Sequence, residues 1–234
     1  NCLSGPTLQH FKTSKQQKQM SNEIDLYDAI GGENANAANV LPQVQAADPE
    51  KPIVLNIHSP GGSVLEGEAI LSALRGHPAG FEANIQGMAF SMAANIALSA
   101  SYVRMPKDGW LMFHFSRSSE GGTAYDLERQ KRVLETMDES LLDKIEAKLG
   151  KYNPGREVLD KRLANEWWVD GKEALSIGLA DELTNEVALA ACAYENAKTA
   201  PDDCLKYLDN LPKNLDHSNK HYRTDEKVVF LTWH

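Results

Sequence analysis

The spacing of apolar residues changes several times along this chain, and each change marks an element. Residues 23–30, EIDLYDAI, alternate apolar and polar side chains, which predicts a half-buried strand ended by Gly31-Gly32. An alanine- and asparagine-rich helix follows and closes near ADPEKP. Residues 53–58, IVLNIH, form a mostly apolar run stopped by SPGGS, the pattern of a buried strand. Residues 64–76, VLEGEAILSALRG, have helical periodicity with a glycine at the end. FEANIQ predicts the next strand, and a second glycine-containing turn, QGMAFSMA, leads from it into a helix of small residues. YVRMP and WLMFHF read as two further short strands.

The longest predicted helix covers residues 123–149, where Leu127, Leu134, Met137, Leu141, Ile145 and Leu149 keep helical spacing. Thr123 with Asp126 suits its N-terminal cap and Gly150 its stop. Glu128 and Arg132 face each other one turn apart, a gain of roughly 0.3 kcal/mol. EALSIGLADEL then predicts a helix turning at Gly178 into a last short strand. Strands alternating with helices indicate an α/β protein with a largely parallel sheet. Residues 1–21 are polar and rich in lysine and glutamine, and read as a flexible arm. Residues 22–187 form the core domain, and 188–234 shift to a mixed polar composition, read as an extension ending in KVVFLTWH.

Composition narrows the class without naming a function. Of 234 residues, 42% are hydrophobic and 24% charged, as in ordinary globular proteins. The 24 basic and 33 acidic residues leave a net charge of −9, which argues against nucleic acid as a partner. No apolar run of about 18 residues is present, so no membrane span is expected. The first residues lack the apolar centre of a signal peptide. Cys2, Cys192 and Cys204 form no CxxC pair and match no metal spacing, so no metal and a reducing, cytoplasmic compartment are expected.

The chemistry-bearing residues gather around the two glycine turns. A glycine turn entering a helix exposes backbone N–H groups that can hold an anion, yet neither turn has a P-loop or dinucleotide pattern. The second delivers Ser91 to a helix start, where N–H groups favour developing negative charge. A serine hydroxyl is a weak nucleophile at neutral pH and needs a base. His10, His217, His221 and His234 lie in the polar ends, and His77 lies in a GHPAG turn. His58 ends a strand and is read as structural. His114 ends the apolar strand WLMFHF and is the best candidate base.

LNIHSPGGSVLEGEAI, GMAFSMAA, LMFHFSRSSEGGTAYDLE and EALSIGLADEL, in that order, resemble the Clp-type serine peptidases (the ClpP family), especially their bacteriophage relatives. The resemblance implies an α/β fold of the ClpP/crotonase-like kind, a superhelix of ββα units with a long protruding handle helix. It also implies a serine endopeptidase with Ser91 as nucleophile, His114 as base, and the N–H groups of Gly62 and Met92 as the oxyanion hole. Gly61 and Ser63 would bound the edge that pairs with substrate backbone. The acidic third member falls on Glu166, where the family carries aspartate, with Asp170 and Asp181 as lesser candidates. Asn165 stands where the family often has an arginine that helps couple ring assembly to activity. Phe90 is bulkier than the family's residue before the serine and fits either core filling, the favoured reading, or a narrowed substrate pocket. Phe115 and Ser116 replace the usual residues after the histidine. Of Trp167 and Trp168, one is free to cover the triad while the other packs elsewhere, since neighbouring strand residues face opposite sides; both as ordinary core is the equal alternative.

A polypeptide substrate, no cofactor, and a heptameric or tetradecameric homo-oligomer follow from the same resemblance. Partners would be a ring (AAA+) ATPase, since the chain has no ATP-binding motif, or phage capsid and scaffold proteins. Three other readings compete: a crotonase-fold acyl-CoA enzyme, a Ser-Lys signal-peptide peptidase, and a catalytically weak assembly subunit. The first does not need the Ser91/His114 pair. The second needs a lysine that the apolar strands lack.

Overall fold

The computed structural model describes residues 22–119 and 121–184. The predicted arm, the C-terminal extension with its KVVFLTWH tail, and the three cysteines lie outside them. Strands β1 (Glu23–Tyr27), β2 (Ile53–Ser59), β3 (Phe81–Phe90) and β4 (Val103–Pro106) lie side by side in that order, with β7 (Glu182–Thr184) beyond β4. All of these pairings are parallel. Ile53, Leu55 and Ile57 alternate on β2 and are fully buried, as are Ile85 on β3 and Leu26 on β1. Burying each such side chain contributes roughly 1.5–3 kcal/mol. The opposite face is polar, and cross-strand bonds satisfy it: Asn84 donates to Asn56 (2.9 Å), and Asn56 donates to Asp25 (3.0 Å).

Helices α1 (Ala37–Ala46) and α2 (Val64–Gly76) make the crossovers. Asn36 caps the first by accepting from the Asn39 N–H, and Ser63 caps the second by accepting from the Glu66 N–H. The bounds of α2 are those its periodicity predicts.

The strand at 81–86 runs on, and here the structure corrects the sequence reading. No turn follows Gln86; β3 continues to Phe90, through Gly87 at φ 139°. Glycine permits that backbone, and the pairing with β2 shifts, from Ile57↔Ile85 to Ser59↔Ala89. Ahead of this irregularity β3 pairs with β4; after it, Met88, Ala89 and Phe90 pair with Trp110, Leu111 and Met112 of β5 (Trp110–Phe113). β5 in turn pairs antiparallel with β6 (Trp167–Asp170).

Helix α4 (Ala124–Leu149) has the predicted caps: Thr123 and Asp126 form a reciprocal capping box, and Gly150 ends it at φ 51°. The Glu128–Arg132 pair forms at 3.7 Å. Leu142, Ile145 and Leu149 are buried, whereas Tyr125, Leu127 and Val133 are exposed. The final turns of α4 therefore dock on the core and the first ones project from it, as a handle does. A 3-10 turn (Gly150–Tyr152) and helix α5 (Arg156–Ala164) bring the chain back to the sheet. α5 was not anticipated, because only Leu159 and Leu163 of its nine residues are buried. Helix α6 (Gly171–Ile177) ends at Gly178 in the left-handed conformation, at the predicted turn into β7.

Candidate active site

Three strand ends meet at one place, and the register says which residues they present. Phe90↔Met112 is the last pair between β3 and β5, so Ser91 leaves β3 beside the exit of β5, where His114 follows Phe113. Phe113↔Trp167 is the outermost pair between β5 and β6, so Glu166 lies across from His114. Residues 91, 114 and 166, far apart in sequence, thus occupy adjacent corners of one sheet edge.

Ser91 forms the corner between β3 and α3 (Met92–Leu98), at φ 52° and ψ −120°. That backbone is rare for a residue with a Cβ and costs about 1–3 kcal/mol, which the surroundings must hold. The Ser91 N–H donates to the Met112 carbonyl (2.8 Å), and its carbonyl accepts from Asn95 (3.1 Å). Its hydroxyl does not cap α3. The helix has only seven residues, so its leading N–H groups, rather than a long macrodipole, offer the positive end.

The SPGG turn closes over this corner. Ile30 donates to the Gly61 carbonyl (2.7 Å) and accepts from the Ser63 N–H (2.8 Å), an isolated parallel bridge opposite Gly62. Strand alternation then turns the Gly62 N–H away from Ile30. Ser63 is occupied as the α2 cap, so its hydroxyl supports the turn. Gly61 has φ 88°, and a Cβ there would sit 2.5 Å from the Phe90 carbonyl oxygen and 2.8 Å from the Ser91 Cβ. Gly61→Ala is therefore expected to push the turn off Ser91 and cut any Ser91-dependent rate by about 100-fold, in line with small misplacements of reacting groups. Fluorophosphonate labelling of the variant at the wild-type rate would contradict this.

His114 is partly buried, and Met112, two residues before it, joins Met88 and Phe90 in a small apolar cluster flanked by Trp110 and Trp168. Phe90 is fully buried and packs edge-on against Trp168 at 4.9 Å, so it fills core, as favoured. Trp167 faces the opposite side, against Phe113 at 5.6 Å. Burial pushes the His114 pKa below the ordinary histidine value, and the nearby Arg117 cation pushes the same way; Glu166, a backbone hydrogen bond at Phe115 and Asp138 oppose them. Among the described residues no hydrogen bond reaches His114 Nδ1, which is buried. Glu166, at φ 56° with a side chain 7% exposed, accepts from Arg117 at Oε1 (2.5 Å). Catalytic hydrogen bonds are often unmade in a resting structure and tighten when substrate binds.

The lesser acid candidates are employed elsewhere. Asp170 caps α6 by accepting from Glu173 (2.8 Å), and Asp181 accepts from the Val103 N–H (2.8 Å) and Lys148 (3.1 Å). Asn165 ends α5 and donates back to the Lys161 carbonyl (2.7 Å). Phe115 packs on the main core, and the Ser116 N–H donates to Asp138 of α4 (2.7 Å). His58 lies edge-on to Tyr27 at 6.4 Å, on the polar face of the sheet. Arg117 was not foreseen: its contact with residue 166 is long-range, and no local pattern announces it. Among the described residues no group of three or more His, Cys, Asp or Glu could hold a metal ion. No helix among them is long and apolar enough to cross a membrane.

A serine at a strained strand-to-helix corner, a histidine just past the neighbouring strand end and a glycine turn packed against the serine are parts that a serine hydrolase would use, here on a branched, mostly parallel sheet. The profile of the Clp protease family matches residues 9–187, and the chain belongs to that family of peptidases. It is similar to ATP-dependent Clp protease proteolytic subunit 3 of Rhodococcus jostii, 29% identical over 171 residues, covering 72% of this chain and 81% of that one. Subunit 1 of Protochlamydia amoebophila is 29% identical over 170 residues (70% and 81%). The proteolytic subunit of Streptococcus mutans is 30% identical over 162 residues (64% and 79%).

Proposed function

We propose that this chain is a serine endopeptidase in which Ser91 is the nucleophile, His114 the base and Glu166 the acid. The observation that carries the reading is the register that sets these three residues on adjoining strand ends. His114 Nε2 takes the Ser91 Oγ proton as Oγ attacks the scissile carbonyl carbon. The N–H groups of Gly62 and Met92 receive the oxyanion; one such donor is worth roughly 3–4 kcal/mol in the transition state. His114 returns the proton to the leaving amine as the C–N bond breaks. Water then attacks the acyl-enzyme with His114 again as base, the acyl–Oγ bond breaks and the proton passes back to Ser91 Oγ, so no metal or organic cofactor is needed. Glu166 stabilises the imidazolium through Nδ1. Substrate backbone pairs with the edge from Gly61 to Ser63 on the side away from Ile30.

The named relatives are subunits of ATP-dependent proteases, which supports ring assembly into a heptamer or tetradecamer, with α4 as the handle between rings. Any ATP dependence then comes from a separate ring ATPase. The motif departures around Phe90, Phe115 and Ser116 favour the phage-like branch, whose substrates would be capsid or scaffold proteins.

The test is hydrolysis of a short fluorogenic peptide by the purified full chain, with its native mass measured alongside. Hydrolysis blocked by one equivalent of fluorophosphonate per chain, at a mass of seven or fourteen subunits, is expected. Tight acyl-CoA binding without hydrolysis would replace the reading with a crotonase-type enzyme. A folded oligomer that neither labels nor hydrolyses would replace it with an assembly subunit, and a stable monomer would count against the barrel.

A further inference from the structure

Arg117 and His114 both feel the Glu166 carboxylate, and of these two only Arg117 is hydrogen-bonded to it. His114 sits across the β5–β6 ladder from Glu166, with its Nδ1 buried and without a hydrogen-bond partner among the described residues. Arg117, three residues further along, makes the contact instead, from Nη2 to Oε1. The arginine side chain is 56% exposed and the glutamate side chain 7%. A surface cation has thus reached inward to a buried carboxylate.

The segment carrying Arg117 is held from a third direction. The Ser116 N–H donates to Asp138, and Gln130 donates to Ser118 (3.0 Å); both partners are on α4. The residues on either side of Arg117 are therefore pinned to the handle helix while Arg117 spans to Glu166. Glu166 is itself fixed by its left-handed backbone between α5 and β6.

We infer that Arg117 is a positioning residue that holds Glu166 away from His114 Nδ1, so that the acid-base relay forms only when the Arg117–Glu166 pair opens. The inference rests on the reading of Glu166 as the acid. A carboxylate neutralised by a guanidinium does little to stabilise an imidazolium, so serine attack is slow while the pair is closed. Release needs only a side-chain motion of a largely exposed arginine, with no change in the sheet. Because the segment is tied to α4 at two points, a displacement of the handle moves the latch. The charged groups facing His114 are Arg117 on its own segment, Glu166 at the entry to β6 and Asp138 on α4.

The test compares fluorophosphonate labelling rates of full-length wild type, Arg117→Met, Arg117→Lys, Glu166→Gln and the Arg117→Met/Glu166→Gln double variant across pH. Arg117→Met is expected to label about 10-fold faster, a fraction of what a positioned acid-base group supplies. Its pH midpoint should rise, because His114 loses a nearby cation and gains a carboxylate partner. Arg117→Lys should fall between it and wild type, since an ammonium keeps the charge without the fork. The double variant should label no faster than Glu166→Gln. An arginine that acts on His114 by its charge alone would raise the midpoint by the same amount in the Glu166→Gln background, whereas the latch predicts a larger rise when Glu166 is present. An Arg117→Met that labels no faster than wild type, alongside a slow Glu166→Gln, overturns the latch and leaves the triad standing. So does an equal acceleration by Arg117→Met in the Glu166→Gln background. Glu166→Gln labelling at the wild-type rate removes Glu166 as the acid, and the latch with it. Native mass and circular dichroism matching wild type establish that each variant is folded.

Discussion

Replacing Ser91 with alanine is expected to abolish covalent labelling by a fluorophosphonate and to lower peptide hydrolysis by about 10⁶-fold, the scale set by nucleophile deletions in other serine proteases. The loss should fall on kcat, because the hydroxyl supplies the bond that forms and not the edge that binds substrate. Stability should hardly change. The Ser91 hydroxyl does not cap α3, while the backbone bonds to Met112 and from Asn95 involve no side-chain atom. A further variant separates chemistry from architecture: Ser91→Gly relieves the positive φ and is expected to match or exceed wild-type thermal stability while remaining inactive. Equal labelling of wild type and Ser91→Ala would remove the nucleophile assignment at once.

His114→Ala should come next in size, with a fall of about 10⁴- to 10⁶-fold, since the serine proton then has only water to go to. The pH profile of the wild type gives the same residue a second signature. A base works in its neutral form, and burial together with Arg117 holds the His114 pKa below the ordinary histidine value. The wild-type labelling rate should therefore climb from acid pH through a midpoint below that of a free histidine and level off at a correspondingly lower pH. In His114→Ala that inflection should vanish while the protein stays folded, because no hydrogen bond reaches its buried Nδ1 among the described residues. A retained inflection would move the base elsewhere.

What the sequence made legible was mostly local. The limits of α2 and the capping box of α4 depend on residues within one or two turns of each other, and both stand where periodicity and cap chemistry put them. α5 was missed because a nine-residue helix with two buried leucines has almost no amphipathic signal. β3 was cut short at Gln86 because glycine usually marks a turn, whereas here Gly87 carries an irregular step inside a strand. The placement of Ser91, His114 and Glu166 at one edge needed the pairings β3–β5 and β5–β6, which no local pattern encodes; the ordered family motifs carried that information instead. Nothing in the chain pointed to Arg117, because the residue facing it comes 49 positions later.

The irregular step at Gly87 also constrains how this stretch can change length. Between Ile57 and Ser59 strand β2 advances two residues, while β3 advances four, from Ile85 to Ala89. The surplus is even, so parity survives: Ile85 and Ala89 both face the main core, and Met88 and Phe90 both face the smaller cluster with Met112. One residue added or removed between Ile85 and Phe90 would exchange those faces, turning the phenylalanine into the alanine's place and rotating the strand's exit by half a turn. Two residues would leave the faces intact and alter only the reach to the corner. Length variation here is quantised in pairs, and a reading-frame-preserving deletion of a single codon should be as damaging to the site as the loss of a catalytic side chain.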